Sequence, residues 1–323
     1  MTIIEEVFMS TVHDVIIVGS GPAGWTAATY TGRAGLSPIV LAGSLEAGGA
    51  LMNTTEVENF PGWPEPILGP ELMMRMQQQA ERFGAQVRYE DAISFDFSSE
   101  IKTVTTDDAT YQAKTVILAL GSEYRKLGLE GETTYSGKGV SFCATCDGFF
   151  FKGKEIAVVG GGDSAVTEAI FLSRFGSTVH LIHRRDELRA SKVMAQRIED
   201  IDNIKVHWNS KVTEINGAGG LESLTLEDTV TGATSNLPVS GMFVAIGHDP
   251  RTRVLQGQVE CDSHGYIIVD SPSAKTSVPG VFACGDVVDS TYQQAVTAAG
   301  SGCVAALDAE AYLINMEAEA GQN

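Results

Sequence analysis

The sequence predicts an α/β fold built from two Rossmann-like, ββα-type dinucleotide-binding domains, one inserted into the other. Three observations carry this. A buried strand, a glycine-rich loop, a helix and a second buried strand occur in that order twice, at 15–41 and again at 155–182, which is the order of a dinucleotide-binding βαβ unit. Two apolar strands, Thr115–Leu120 and Met242–Ile246, each run into a glycine, Gly121 and Gly247, and so close matching halves. The chain has 323 residues, beyond the roughly 250–300 that a single core supports.

In order, Val15–Val18 is an apolar run that enters Gly19. Pro22 near the start and Gly35 just past the end bound a helix over 22–34, since proline suits a first helical turn and glycine a helix end. Ser37–Leu41 returns as a strand. Residues 43–66, rich in Gly, Pro, Asn and Thr, read as a long functional loop. Glu71–Phe83 is helical, 86–113 alternates short strands with turns, and Thr115–Leu120 is a buried strand. The pattern then repeats. Glu155–Val159 is a strand, Asp163–Phe175 a helix, Thr178–Ile182 a strand and Ser191–Asp200 a helix, with strands near 204–207, 211–216 and 221–227. Beyond Gly247, Tyr266–Val269 and Val281–Cys284 are expected strands and Tyr292–Met316 a long alanine-rich helix. The expected division is 1–122 and 248–323 for one domain, with 123–247 inserted and residues 1–12 an unstructured leader.

Composition excludes several classes. Lys and Arg number 22 against 41 Asp and Glu, a net −19, so the surface repels nucleic acid and anionic membrane. No apolar run approaches the ~20 residues that span a bilayer, and Glu5 and Glu6 stand where a signal peptide needs basic residues. Five cysteines are too few for a secreted disulfide scaffold. The expected location is cytoplasmic.

The first loop is Gly19-Ser20-Gly21-Pro22-Ala23-Gly24. Its glycines permit a tight turn, close backbone approach to a pyrophosphate and close helix packing, with the phosphates at the positive helix end. The second strand ends without an acidic residue to grip a ribose, so Glu46 is the nearest carboxylate. The second loop is Gly160-Gly161-Gly162-Asp163-Ser164-Ala165, and its second strand ends in His183-Arg184-Arg185, followed by Arg189. Guanidinium groups at that strand end pair with a 2′-phosphate, which indicates NADPH rather than NADH; a solvated basic face is the plainer alternative.

Between the loops lies Cys143-Ala144-Thr145-Cys146-Asp147. A C-x-x-C at the start of a helical turn suits thiolate chemistry. Zinc is the rival, but no second C-x-x-C or paired His follows to complete four ligands. Asp147 is placed to shuttle a proton, or simply to cap the turn. Cys261, Cys284 and Cys303 are assigned no chemistry, and the histidines form no catalytic group, His248 after the hinge glycine being a weak candidate. Two dinucleotide loops flanking a dithiol describe an electron path: hydride enters at one nucleotide, crosses a flavin and leaves through a disulfide.

These motifs, with GGALMNTTEVENFPG at 48–62, CATCDGFF at 143–150, GMFVAIGHDPR at 241–251 and GVFACGD at 280–286, resemble the bacterial-type, low-molecular-weight thioredoxin reductases from about residue 12 to 316. The resemblance implies FAD on the first loop, held by Ser20, Gly21, Pro22, Ala23, Gly43, Glu46, Gly48, Gly49, Ala50, Asn59, Asp286, Gln293, Gln294, Ala295 and Val296, with an adenine contact at Ala92. It implies NADPH on the second, with Ser164, His183, Arg184, Arg185, Arg189, Ile246 and Tyr266. Cys146 would face the flavin, Cys143 would attack the disulfide of thioredoxin, and Asp147 would be the acid–base residue. It further implies a homodimer whose NADPH domain swivels. Gln293, Ala50 and Leu120 depart from the Arg, Gln and Thr common at these places. Two other functions share much of the pattern: the flavoprotein reductase of an alkyl hydroperoxide system, which carries a long N-terminal dithiol domain, and a flavin-based redox sensor without high turnover.

Overall fold

The computed structural model describes residues 11–45, 47–54 and 56–321. The chain divides into two compact units, one formed by 1–123 with 249–323 and the other by 124–248. Each unit ties its own two chain ends together. The Arg251 N–H donates to Gly121 O at 3.1 Å in the first, and the Arg125 N–H to Gly247 O at 3.0 Å in the second.

In the first unit a seven-stranded sheet has a parallel centre, in which Val12–Val18 lies between Ile39–Leu41 and Thr110–Leu118. Gln86–Arg88 and Val281–Ala283 extend it in parallel, and Lys102–Thr106 with Ala92–Asp96 add an antiparallel ribbon. Both faces are covered at the centre, so Val15–Val18, Ile39–Leu41 and Val116–Leu118 are apolar at every position rather than at alternate ones. Val15, Ile17, Val40, Ile117 and Phe282 meet the helices Pro22–Arg33, Gly69–Arg82 and Ala295–Ala320 through Trp25, Ala28, Leu72, Met73, Ala305 and Leu313. Ile16, Val18, Ile39, Val116 and Val281 pack on Phe95, Phe97, Val104, Leu255 and Ile267.

The second unit repeats the design. Val140–Ser141, Gly241–Val244, Glu155–Val159, Thr178–Ile182 and Ile204–His207 form a parallel sheet in that spatial order. Ile156, Val158, Leu181 and Phe243 face the helix Asp163–Leu172 through Ala165, Val166, Ala169 and Leu172. Ala157, Ile182, Met242 and Val244 face a three-stranded antiparallel sheet, Ser210–Asn216, Ser223–Asp228 and Thr234–Pro238, through Val212, Ile215, Leu224 and Leu226.

Several elements differ from expectation for identifiable reasons. The first strand begins at Val12, within the expected leader, because Val12 and His13 pair with Gln112 and Ala113; residues 1–10 of that leader lie outside the described residues. The strand expected at Thr115 begins at Thr110, since its first half serves the ribbon and its second the parallel centre. Residues 43–66 contain a 3-10 turn, Gly49–Asn53, and a short strand, Glu56–Val57. Tyr266–Val269 forms no strand; Ile267 makes an isolated bridge to Cys261. The last helix starts at Ala295, not Tyr292, because the Asp289 carboxylate accepts the N–H groups of Thr291, Tyr292 and Gln293 and Gln293 is left-handed at φ 48°. It runs on to Ala320 through Glu and Ala, good helix formers.

Glu132 is a buried carboxylate in the second unit that accepts three backbone N–H groups, from Leu127 at 2.8 Å, Gly128 at 2.7 Å and Leu129 at 3.0 Å. Glu132→Ala would strand all three. It is expected to cost on the order of 3 kcal/mol, seen as a lower urea midpoint for the second unit, with Glu132→Gln losing less.

Candidate dinucleotide and dithiol site

Each glycine loop follows the carboxyl end of a central parallel strand, Val12–Val18 in the first unit and Glu155–Val159 in the second, where open α/β sheets bind ligands. In the first loop a Cβ at Gly24 would stand 2.0 Å from Gly19 O, whereas one at Gly21 would meet nothing within 4 Å. In the second, Gly160 is crowded at 2.4 Å by Ala245 O, and Gly162 again faces open space. Packing therefore accounts for the outer glycines, and the middle ones open a cradle beside a helix N-terminus. That cradle fits a pyrophosphate.

The first unit brings many of the expected residues together. Ser20 Oγ donates to Ala42 O at 2.6 Å and accepts the Gly48 N–H at 2.9 Å, which fixes the 43–50 loop over the glycine turn. A Cβ on Gly49 would touch Gly21 Cα at 3.3 Å, and one on Gly285 would touch Ala23 Cβ at 2.9 Å, so the segment leading to Asp286 abuts the loop. Asn59 Nδ2 donates to Gln294 Oε1 at 3.3 Å. Burial, with the Asp289 charge added, pushes the Asp286 carboxyl up to about 6. Gly43 is tied through its N–H to Glu90 O at 3.2 Å, two residues before Ala92. Ala50 lies in the 3-10 turn, and Pro22, Ala295 and Val296 open helices. Glu46 lies outside the described residues. Tyr266, also of this unit, is buried, and its hydroxyl accepts from Gln293 Nε2 at 3.2 Å.

In the second unit the basic cluster separates into two parts. Arg184, Arg185 and Arg189 are exposed, but His183 is only 5% exposed. Its ring lies under the loop, where a Cβ at Gly161 would stand 2.1 Å from Nδ1. Its Nε2 is sealed from solvent with no partner among the described residues. Burial pushes its pKa down, and the Arg189 and Arg185 charges act the same way, against hydrogen bonds to the Glu187 and Gly160 backbone that raise it. His183 thus supports the loop from beneath, because it continues the buried strand Thr178–Ile182, its N–H donating to His207 O at 3.0 Å. The Arg189 and Ala190 N–H groups donate to Gly161 O at 2.7 and 3.2 Å, and Asp163 accepts the Ser191 N–H at 2.9 Å, clasping loop to cluster. Ser164 is exposed in the first helical turn, and Ile246 lies two residues beyond the strand Gly241–Val244, just before Gly247.

Trp208 was not evident from sequence. The Asn209 N–H donates to Arg185 O at 3.0 Å and the Ser210 N–H to His183 O at 2.9 Å. These bonds bring the half-exposed Trp208 ring edge-on to His183, with centroids 6.3 Å apart. The long-range pairing of strands places it there, and no local motif announces it.

Cys143 and Cys146 are joined as a disulfide, with Cα atoms 5.3 Å apart. Cys143 caps the turn Ala144–Asp147, its carbonyl accepting the N–H groups of Cys146 at 3.3 Å and Asp147 at 3.1 Å. Both cysteines are half-buried, while Phe149 and Phe150 beyond them are exposed. Burial pushes the Asp147 carboxyl up, partly offset by a hydrogen bond from Ser141. Ser141 is a second residue the motif did not reveal. Among the described residues no cluster of His, Cys, Asp or Glu is arranged to hold a metal ion, and no helix is long and apolar enough to cross a membrane.

Residues 13–302 match the family model for pyridine nucleotide-disulphide oxidoreductases. A thioredoxin reductase of Streptomyces coelicolor is 57% identical over 312 residues, 96% of this chain and 97% of its own. A bifunctional thioredoxin reductase/thioredoxin of Mycobacterium leprae is 54% identical over 304 residues, 94% of this chain and 66% of its own. Among solved structures, a thioredoxin reductase from Giardia duodenalis superposes with a TM-score of 0.89 at 42% identity, covering 94% of this chain and 100% of the other.

Proposed function

Because this chain belongs to the thioredoxin reductases, within the pyridine nucleotide-disulphide oxidoreductases, we propose that Cys143 and Cys146 carry electrons from NADPH to the disulfide of a thioredoxin. The observation that supports this most is the disulfide itself, half-buried, capping a helical turn and adjoining a buried carboxyl. In the Mycobacterium leprae relative the two activities share one name, which favours thioredoxin over another dithiol partner.

The open cradle at Gly21, with Ser20, Ala23, Gly48, Gly49, Asn59, Asp286 and Gln294 around it, would hold FAD. The cradle at Gly162, with Ser164, Arg184, Arg185 and Arg189, would hold NADPH, and the Trp208 face offers its adenine a stacking surface. When bound, FAD supplies the two-electron relay between nicotinamide and disulfide. The remaining chemistry belongs to the chain. Once reduced, the Cys143 thiolate attacks the partner disulfide and forms a mixed disulfide. The Cys146 thiolate then attacks the Cys143 sulfur, which releases the partner as a dithiol. Asp147 takes up and returns the proton that accompanies thiol–thiolate conversion. The protein works as a cytoplasmic homodimer.

Anaerobic titration of the purified protein tests this. Full reduction should require two two-electron equivalents of NADPH, one for the flavin and one for the disulfide, and NADH should reduce it far less readily. Uptake of a single equivalent would remove Cys143–Cys146 from the path.

A further inference from the structure

One hydroxyl links Asp147 to the backbone of the first cysteine. Ser141 ends the strand Val140–Ser141, pairs with Phe243 and is 5% exposed. Its Oγ accepts the Cys143 N–H at 3.1 Å and donates to Asp147 Oδ2 at 2.6 Å, while Cys143 O lies 3.4 Å away as a second acceptor. A serine hydroxyl has one hydrogen and two lone pairs. The ionised carboxylate, nearer and charged, takes that hydrogen. When Asp147 binds a proton, its carboxyl becomes the donor, Oγ accepts from both Asp147 and the Cys143 N–H, and the serine hydrogen turns to Cys143 O. In that second arrangement the serine hydrogen shares Cys143 O with the N–H groups of Cys146 and Asp147, so the ionised arrangement is the better satisfied of the two.

We propose that Ser141 is a positioning residue, a two-state hydroxyl rotor that couples the proton on Asp147 to the Cys143 peptide group. The proposal rests on the assignment of Asp147 as the acid–base residue of the dithiol. The proton enters and leaves at Asp147, and the serine hydrogen only changes acceptor. The nearest titratable rings lie beyond Phe142, where Tyr124 packs on it with centroids 5.2 Å apart and His248 packs on Tyr124 at 4.6 Å. The turn Ala144–Asp147 packs on the helix Asp163–Leu172, whose buried carboxyl is Glu168, pushed up to about 8 by burial. Asp163 on that helix is exposed and bonded to Ser191. Gly148–Phe151 and the paired strand Gly241–Val244 carry none.

With its hydroxyl donor removed, Asp147 keeps only the burial that raises its pKa. Ser141→Ala should therefore move the Asp147 midpoint up by about one pH unit, the worth of a hydrogen bond to a charged group. The measurement is the infrared carbonyl band of the protonated carboxyl in the intact oxidised protein, identified by its loss in Asp147→Asn. Ser141→Thr should restore the original midpoint, and Ser141→Gly should repeat the Ala result if Ala fails to fold. An unmoved midpoint in the hydroxyl-free variants overturns the proposal, as does a Thr variant displaced as far as Ala. The pH profile of thioredoxin reduction should shift in step, upward, and Glu168→Gln should not remove the shift. If the infrared shift occurs but thioredoxin is never reduced, the functional reading fails and the serine coupling stands; normal turnover without the shift fails the coupling alone.

Discussion

Cys143→Ser should lower NADPH-driven thioredoxin reduction by at least about a thousandfold, the scale of losing a covalent nucleophile, while NADPH still bleaches the flavin. A serine hydroxyl is scarcely ionised at neutral pH, so it cannot replace the thiolate that attacks the partner. The fold should survive. Cys143 is half-buried, its carbonyl rather than its sulfur caps the turn, and the surrounding core runs through Ala144, Val166 and Leu172. Stopped-flow absorbance follows the flavin, and a coupled thioredoxin assay follows the partner. Retained thioredoxin reduction in the variant would place the exchange elsewhere. Loss of both signals together would show that the substitution had damaged the nucleotide site.

The second large effect concerns coenzyme choice. Replacing Arg184 and Arg185 together by serine should raise the KM for NADPH roughly 100-fold, about tenfold for each exposed charge-assisted contact. NADH, which lacks the 2′-phosphate, should change little, so preference between the coenzymes should narrow by the same factor. His183→Ala should behave differently. It removes a buried ring that supports Gly161, and both coenzymes should weaken together. Steady-state kinetics with the two coenzymes decides the matter: parallel losses in the arginine variant would mean that these side chains hold the loop rather than a phosphate.

Sequence conveyed the parts of this molecule that depend on short spacing. The glycine loops, the paired cysteines and the parallel strands are local patterns with a fixed period, and packing has kept them where the period puts them. What escaped is set by how the chain folds back, through a turn or through pairing across a sheet. Ser141 lies two residues before Cys143, yet only the turn of Ala144–Asp147 brings its hydroxyl to Asp147. Trp208 reaches the His183 neighbourhood because Ile204–His207 pairs with Thr178–Ile182 across the sheet. The run His183-Arg184-Arg185 looks uniform as charge, but His183 directly continues a strand buried on both faces while Arg184 and Arg185 emerge beyond it into solvent. The same limit explains Tyr266–Val269, where β-branched residues suggested a strand and the available partners supplied only a single bridge.

The bonds from Arg251 to Gly121 and from Arg125 to Gly247 close each unit across its own break. A module whose entry and exit points are neighbours can be spliced into a host loop with little added chain entropy, because the host gap stays short whatever the insert's length. Grafting experiments on this architecture therefore have natural seams at 123/124 and 248/249, where a donor segment can replace the resident one without lengthening any connection in the recipient.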